Sequence, residues 1–174
     1  NKYTKYIGNE TDLLGYWLMN EGRGELANDL AFFKHGIVNT NWDIKPKGTS
    51  YEFSNGQYLK LDQLSNVILT ENMDATISFW VKTASQAEAT IFSNGRGDET
   101  DEKQPNGFAE KWAINIDNNG LLSFESEGNS YPLTSVSITD NQWHHIALVL
   151  NKKGSLNTYI DAEQVSSNSI NDIN

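Results

Sequence analysis

The sequence predicts an all-β protein built as an antiparallel two-sheet sandwich. Apolar and polar residues alternate with a period of two in several segments, and glycine-containing turns separate those segments. No long stretch shows the 3.6-residue period of an amphipathic helix. At 174 residues the chain is also long enough to bury the core that a two-layer structure requires.

Three segments show the alternation most clearly, at residues 75–82, 112–117 and 145–150. Successive side chains of a strand point to opposite faces, so each segment is predicted to bury one face. In the first of them Trp80 lies on the face opposite Phe79. Parity therefore predicts that Trp80 points outward while Phe79 enters the core.

The predicted turns lie at Asn-Gly pairs, which favour the positive φ angles of tight hairpins. Asn55-Gly56 is predicted to join residues 51–53 to 58–61 in a hairpin, and Asn119-Gly120 to join 111–117 to 121–125. Residues 26–36 and 96–108 are predicted to be loops. The polar segment 166–174 is predicted to be a loop or a frayed end.

Charge and composition exclude several classes of function. The net charge of −10 repels phosphate backbones and anionic membranes, so we expect no nucleic acid partner. The longest apolar run, Ile146 to Leu150, is far too short for membrane insertion. The absence of cysteine excludes disulfides and thiolate metal sites.

The segment from Trp143-His144-His145 through a polar turn to Tyr159-Ile160-Asp161 resembles the signature hairpin of laminin-G-like jelly rolls. These domains belong to the concanavalin A-like lectin/glucanase group. Four earlier blocks also resemble the family and occur in its order. They are residues 14–24, 35–38, 51–59 and 75–82.

The resemblance covers residue 13 to about residue 165 and implies a jelly-roll domain over residues 13–174, with residues 1–12 as a leader or linker. Two turns depart from the family pattern, because Gln57 replaces an acidic residue and Ala162 replaces a glycine. Relatives also continue with further strands, so we expect the domain to be incomplete at its C-terminal end.

The resemblance implies a noncatalytic binding module, secreted or on a cell surface, that joins other domains of a larger protein. Its expected partner is a glycan. The alternative is a structural or protein-interaction module that binds a surface protein, and a glycoside hydrolase is the third hypothesis. A glycosidase needs two carboxylates facing each other across a cleft. The nearest acidic pattern, at residues 99–104, ends in Gln104 and falls in a predicted loop.

Aromatic side chains are the first candidates for binding a sugar, because rings stack on the apolar faces of pyranoses. The ligand-binding candidates are Trp80, Trp112 and Tyr131, with Arg96 as a side chain that bonds hydroxyl groups. The alternative is that Trp80 packs under a covering loop and that Trp112 belongs to the core.

Carboxylates are the candidates for a metal, because calcium prefers hard oxygen ligands. Asp98 and Asp101 lie in an acidic loop, and Asp29 lies in the loop after the first strand. Calcium is therefore the one cofactor considered, with a solvated acidic surface as the alternative. His144 and His145 are adjacent on a strand, so they point to opposite faces and are not expected to chelate one ion.

Overall fold

The computed structural model describes residues 12–31, 35–45, 48–54, 56–61, 73–94, 112–126 and 128–170. Throughout this part of the chain the regular secondary structure is β. The strands are β1 (Leu26–Ala27), β2 (Gly36–Asn39), β3 (Asn41–Lys45), β4 (Gly48–Glu52), β5 (Tyr58–Lys60), β6 (Ala75–Val81), β7 (Ala89–Ser93), β8 (Trp112–Ile116), β9 (Leu122–Ser126), β10 (Asn129–Pro132), β11 (His144–Asn151), β12 (Ser155–Ile160) and β13 (Glu163–Ser169). Within those residues, the structure contains no helix that is long and apolar enough to cross a membrane.

The chain divides into two compact units, residues 1–66 and 67–174. In the first unit, β2 pairs with both β1 and β5, and β3 pairs with β4 in a separate hairpin. The predicted hairpin at Asn55-Gly56 is therefore wrong, because β4 and β5 each pair with a different strand. The prediction of a loop over residues 26–36 is wrong at its ends, where β1 and β2 pair with each other.

The second unit contains two four-stranded antiparallel sheets, with strand orders β10-β9-β8-β7 and β13-β12-β11-β6. Their inner faces share one hydrophobic core, so the predicted two-sheet sandwich is confirmed. The fully buried members of this core include Ile114, Leu122 and Phe124 from one sheet and Ile146 from the other. Burying each such side chain stabilises the fold by roughly 1.5–3 kcal/mol.

The second predicted hairpin is confirmed, because Asn119-Gly120 connects β8 to β9. Gly120 has a φ angle of 79°, a conformation that glycine adopts without steric cost. A Cβ atom there would also collide with the side-chain hydroxyl of Ser137. This turn therefore requires glycine for two independent reasons.

The prediction that residues 166–174 form a loop or frayed end is wrong over residues 166–169, which belong to β13. This strand pairs with β12 through its backbone, which explains why a Ser- and Asn-rich segment folds as a strand without an apolar stripe. Ile170 follows the strand and is fully buried, and its backbone N–H donates to the carbonyl of Gly154 at 2.7 Å. Backbone pairing and one apolar anchor thus hold the segment in place.

Candidate functional site

An exposed aromatic side chain stands on the outer face of the β13-β12-β11-β6 sheet. Trp80 on β6 is 64% exposed, as strand parity predicts. Its partner across the sheet is His145 on β11, and the two ring centroids lie 5.2 Å apart at an interplanar angle of 48°. The imidazole therefore supports one side of the indole and leaves much of the indole surface in contact with solvent.

The register extends this face across the sheet. Ala147 pairs with Ser78 on one side and with Tyr159 on the other, and Tyr159 pairs in turn with Gln164 on β13. Because Ala147 presents only a methyl group, the aromatic side chains around it rise above this part of the sheet. We call the surface formed by Trp80, His145, Ala147, Tyr159 and Gln164 the platform face.

Polar groups line the side of the platform face away from Trp80. The Tyr159 hydroxyl donates to Oε1 of Gln164 at 3.4 Å, and Nε2 of Gln164 donates to Oδ1 of Asn157 at 3.4 Å. These hydrogen bonds are long and exposed, so they are weak. Their donors and acceptors can therefore exchange partners with the hydroxyl groups of a ligand at little cost.

A second arrangement lies at the end of the same sheet, on its inner side. The ring of His144 contacts two carboxylates, with Nδ1 at 2.8 Å from Oδ2 of Asp161 and Nε2 at 3.0 Å from Oδ1 of Asp140. Asp140 precedes β11, and Asp161 lies in the turn between β12 and β13. We call these three residues the His144 clamp.

The electrostatics of the His144 clamp favour the charged form of every member. The hydrogen bond that the His144 ring donates to Asp161 raises the pKa of His144, and Asp140 adds to the effect against the opposing influence of burial. The backbone N–H of Gln142 lowers the pKa of Asp140, and the backbone N–H of His145 lowers that of Asp161, each helped by His144. The clamp therefore favours an imidazolium between two carboxylates.

The structure separates the aromatic candidates that the sequence grouped together. Trp112 is only 4% exposed and lies within the core, where its ring stacks on Phe124 at a centroid distance of 6.1 Å. Tyr131 is partly buried and also packs against that core. Only Trp80, of the three, presents most of its ring to solvent, and it lies on the other sheet.

Trp143 directly precedes β11 and is 48% exposed. The two histidines do point to opposite faces, since His144 pairs with Val81 of the core side and His145 with Trp80 of the outer side.

The candidate metal ligands divide into one described residue and two that lie outside the described residues. Asp29 is fully buried, and its Oδ1 accepts hydrogen bonds from the backbone N–H groups of Tyr16 at 2.8 Å and Ala31 at 2.9 Å. These bonds give Asp29 a structural role in its loop. Asp98, Asp101 and Arg96 fall in the segment that the structure does not describe. No group of three or more potential metal ligands occurs among the described side chains.

The sequence missed most of the platform face. His145, Tyr159 and Gln164 were not candidates, although a signal for the first two was present. The hairpin predicted at residues 144–160 fixes a register in which Tyr159 lies beside Ala147, and the pairing with β6 brings His145 to Trp80. Gln164 had no such signal, because the strand that carries it lacks an apolar pattern.

Comparison with protein families gives a match that covers most of the chain. The family model described as the concanavalin A-like lectin/glucanases superfamily matches residues 53–173. No curated protein gives a significant sequence match.

Solved structures with a similar fold include binding domains of clostridial toxins. The binding domain of botulinum neurotoxin serotype D superposes with a TM-score of 0.56 at 20% identity, covering 89% of this chain and 39% of that domain. The type C neurotoxin, described as entering cells through interaction with two ganglioside molecules, gives a TM-score of 0.56 at 14% identity, with coverages of 91% and 39%.

A third structure is the binding domain of botulinum neurotoxin DC in complex with rat synaptotagmin II. It gives a TM-score of 0.52 at 15% identity, covering 91% of this chain and 40% of that one. The chain thus spans about two fifths of the length of these binding domains. At these identities the likeness shows a shared fold. The match to the family model confirms the predicted concanavalin A-like class.

Proposed function

The chain belongs to the concanavalin A-like lectin/glucanases superfamily, and we propose that it is a noncatalytic binding module that holds a neutral glycan on its platform face. One observation carries the proposal. Trp80 is 64% exposed on a regular sheet face, where it is supported by His145 and bordered by hydrogen-bonding side chains.

An exposed indole on a rigid strand is suited to recognition. Tryptophan combines a large apolar area with low conformational freedom, and it is enriched among residues that dominate binding energy. A pyranose ring has one or both faces lined by C–H groups, which can stack on the indole. The sugar hydroxyls would then reach the Tyr159 hydroxyl and the Gln164 amide, whose mutual hydrogen bond is long at 3.4 Å.

Charge supports a neutral ligand. The platform face has no carboxylate and no lysine or arginine, and the chain as a whole carries a net charge of −10. This field raises the energy of an approaching anion such as a sialylated or sulfated glycan. Lys82 follows the end of β6 with the strand parity of Trp80, and it is the nearest lysine or arginine to Trp80 along the chain. We therefore expect neutral sugars to bind more tightly than acidic ones.

The relatives support recognition at an extracellular surface. One solved structure with this fold belongs to a toxin described as dependent on gangliosides, and another is in complex with rat synaptotagmin II. Gangliosides are sialylated, so the first structure supports glycan recognition by this fold, while the preference for a neutral sugar rests on the charge of this chain. Secretion or display on a cell surface, as part of a larger protein, is the corresponding proposal for this chain. Calcium stays a prediction for the acidic loop, and the platform face itself offers no carboxylate to a cation.

The test is a glycan array followed by titration calorimetry with soluble cellohexaose, maltohexaose, lactose and sialyllactose. We expect a neutral sugar to bind and Trp80→Ala to weaken that binding by about tenfold or more, as for a residue worth at least 1.4 kcal/mol. Tyr58→Ala is the control, because it removes another exposed aromatic ring, which lies on β5 in the other compact unit. Equal losses in the two variants, or none with Trp80→Ala, would refute the assignment.

A protein-interaction module is the second candidate, favoured by the neighbour that was solved with synaptotagmin. It predicts no affinity for any glycan on the array. It also predicts that Trp80→Ala abolishes association with a protein from the parent assembly rather than with a sugar. Repeating the array with a chelator tests the calcium prediction separately, since binding at the platform face should not change.

A further inference from the structure

The His144 clamp adjoins the platform face, because its Asp161 contacts the backbone of His145. Oδ2 of Asp161 contacts the His144 ring, and its Oδ1 accepts the backbone N–H of His145 at 2.9 Å. The backbone N–H of Asp161 also donates to the carbonyl of His145 at 2.9 Å. One carboxylate therefore ties the inward-facing histidine to the backbone of the histidine that supports Trp80.

The geometry of the clamp requires a protonated ring. A neutral imidazole carries a single N–H, so it can donate to only one of the two carboxylates. The other ring nitrogen would then place its lone pair against a carboxylate oxygen at about 3 Å, which is repulsive. Loss of one proton from His144 therefore breaks one of the two contacts.

The clamp also reaches the end of β6. Asp140 accepts the backbone N–H of Gln142 at 2.8 Å, and the backbone N–H of the intervening Asn141 donates to the carbonyl of Thr83 at 3.0 Å. Asn141 has a φ angle of 64°, and Asp161 has a φ angle of 51°. Two turns that each contain a residue in the left-handed backbone region thus flank the His144 ring.

We propose that the His144 clamp is a pH-operated device that orders the Trp80–His145 pair when His144 is protonated and loosens it when His144 loses its proton. Asp161 transmits the change, because its side chain and backbone both bond His145. As regulation of binding, this inference rests on the proposed function of the platform face. As a conformational change, it can be observed with no ligand present.

The surrounding charges favour the protonated state. Two carboxylates face the His144 ring, from the segment before β11 and from the β12–β13 turn. The partner of His144 on β6 is the uncharged Val81, and the next residue, Lys82, alternates to the other face. On β13 the first residue is Glu163, which pairs with Ile160. The other nearby imidazole, that of His145, adds to the field that keeps Asp161 ionised.

The experiment is an NMR titration of the full chain from about pH 5 to about pH 10, on both sides of the ordinary histidine pKa near 6.5. The imidazole nitrogens report the protonation of His144, and amide hydrogen exchange reports the order of His145. We expect the protection factor of the His145 amide to fall roughly tenfold as the pH rises through the titration of His144, the change expected when a charge-assisted hydrogen bond is lost.

Asp140→Asn removes one carboxylate from the clamp, so it should lower the pH at which His144 titrates and move the loss of His145 protection with it. Asp117→Asn is the matched control. Asp117 also accepts backbone N–H groups in a turn, from Asn119 and Leu121 at 2.8 Å each, without contacting a histidine. This control should leave the titration of His144 unchanged.

Two outcomes would overturn the proposal. One is a His145 amide whose protection does not follow the titration of His144 in the unmodified protein, a measurement that depends on no variant folding. The other is an equal effect of Asp117→Asn and Asp140→Asn on that titration. A chain that binds no glycan yet loses protection as expected contradicts the proposed function and supports the clamp. Glycan binding without any pH-dependent loosening supports the proposed function and contradicts the clamp.

Discussion

Two tryptophans in the second unit show how one residue type serves opposite purposes on the two sheets. Trp112 begins β8 and lies on the inner face of its sheet, buried against Phe92 and Phe124. Trp80 lies on the outer face of the other sheet, where its aromatic neighbour is His145. Strand parity determines which tryptophan is buried, because successive side chains of a strand point to opposite faces of the sheet.

The largest expected difference between the sheets is in stability. Trp112→Ala should lower the free energy of unfolding by about 3–5 kcal/mol, because it removes a large side chain from a packed core. Trp80→Ala should change it by only about 0.5 kcal/mol, since its ring is mostly in water. Denaturant unfolding of both variants measures this. Equal losses would mean that Trp80 is covered in solution and that the platform face is not free to bind.

Two buried threonines, one on each side of the core, extend the comparison of the sheets, with smaller expected changes in the free energy of unfolding. Thr134 lies after β10, and its hydroxyl accepts the buried backbone N–H of Leu122 at 2.9 Å. Thr134→Val leaves that donor unsatisfied, so it should cost about 1–3 kcal/mol. Unfolding by urea, monitored by the signal of the core tryptophan, provides the measurement.

Thr158 on β12 gives the opposite expectation. Its hydroxyl is buried and has no hydrogen-bond partner among the described residues. Thr158→Val should therefore raise the free energy of unfolding by about 1 kcal/mol, because it removes a polar atom that was buried at a cost. The same urea experiment applies, and a loss of stability in this variant would show that the hydroxyl has found a partner.

The smallest expected effect is on the pH dependence of stability, and it distinguishes His144 from His145. The pKa of His144 is raised in the folded state, so its contribution to stability is complete below the unfolded pKa of about 6.5 and is lost as the pH rises through the folded pKa. The lowered pKa values of Asp140 and Asp161 act in the other direction, because their contributions disappear as the pH falls below about 4.

His144→Gln should remove the alkaline part of this dependence, and His145→Gln should keep it. Thermal unfolding at a series of pH values provides the check. A stability profile that is unchanged in His144→Gln would show that the clamp contributes nothing to folding.

The sequence predicted the sandwich because its core strands obey a period of two. Residues 112–116 and 144–151 follow the rule throughout, and they place their buried side chains as expected. It could not predict β13, because the serines and asparagines of this strand form no apolar stripe and the strand is held by backbone pairing with β12. It also misassigned Asn55-Gly56, because a turn pair does not determine which strands pair on either side.

The candidate site was harder to predict from the sequence than the fold, for a related reason. The exposure of Trp80 follows from parity alone, but its environment depends on which strands become neighbours. His145 comes beside it only through the long-range pairing of β6 with β11, and Gln164 only through the pairing of β12 with β13. Trp112 has the same indole ring and could stack on a sugar equally well, but it lies in the core, where a ligand cannot reach it.

Ala162 offers a route to greater heat tolerance. It follows Asp161 in a turn where related domains usually have glycine, and its φ angle is 73°. An alanine in this left-handed conformation costs about 1 kcal/mol or more, which glycine would relieve. The chain therefore contains a strained residue next to the His144 clamp. Ala162→Gly should remove that strain and raise the melting temperature.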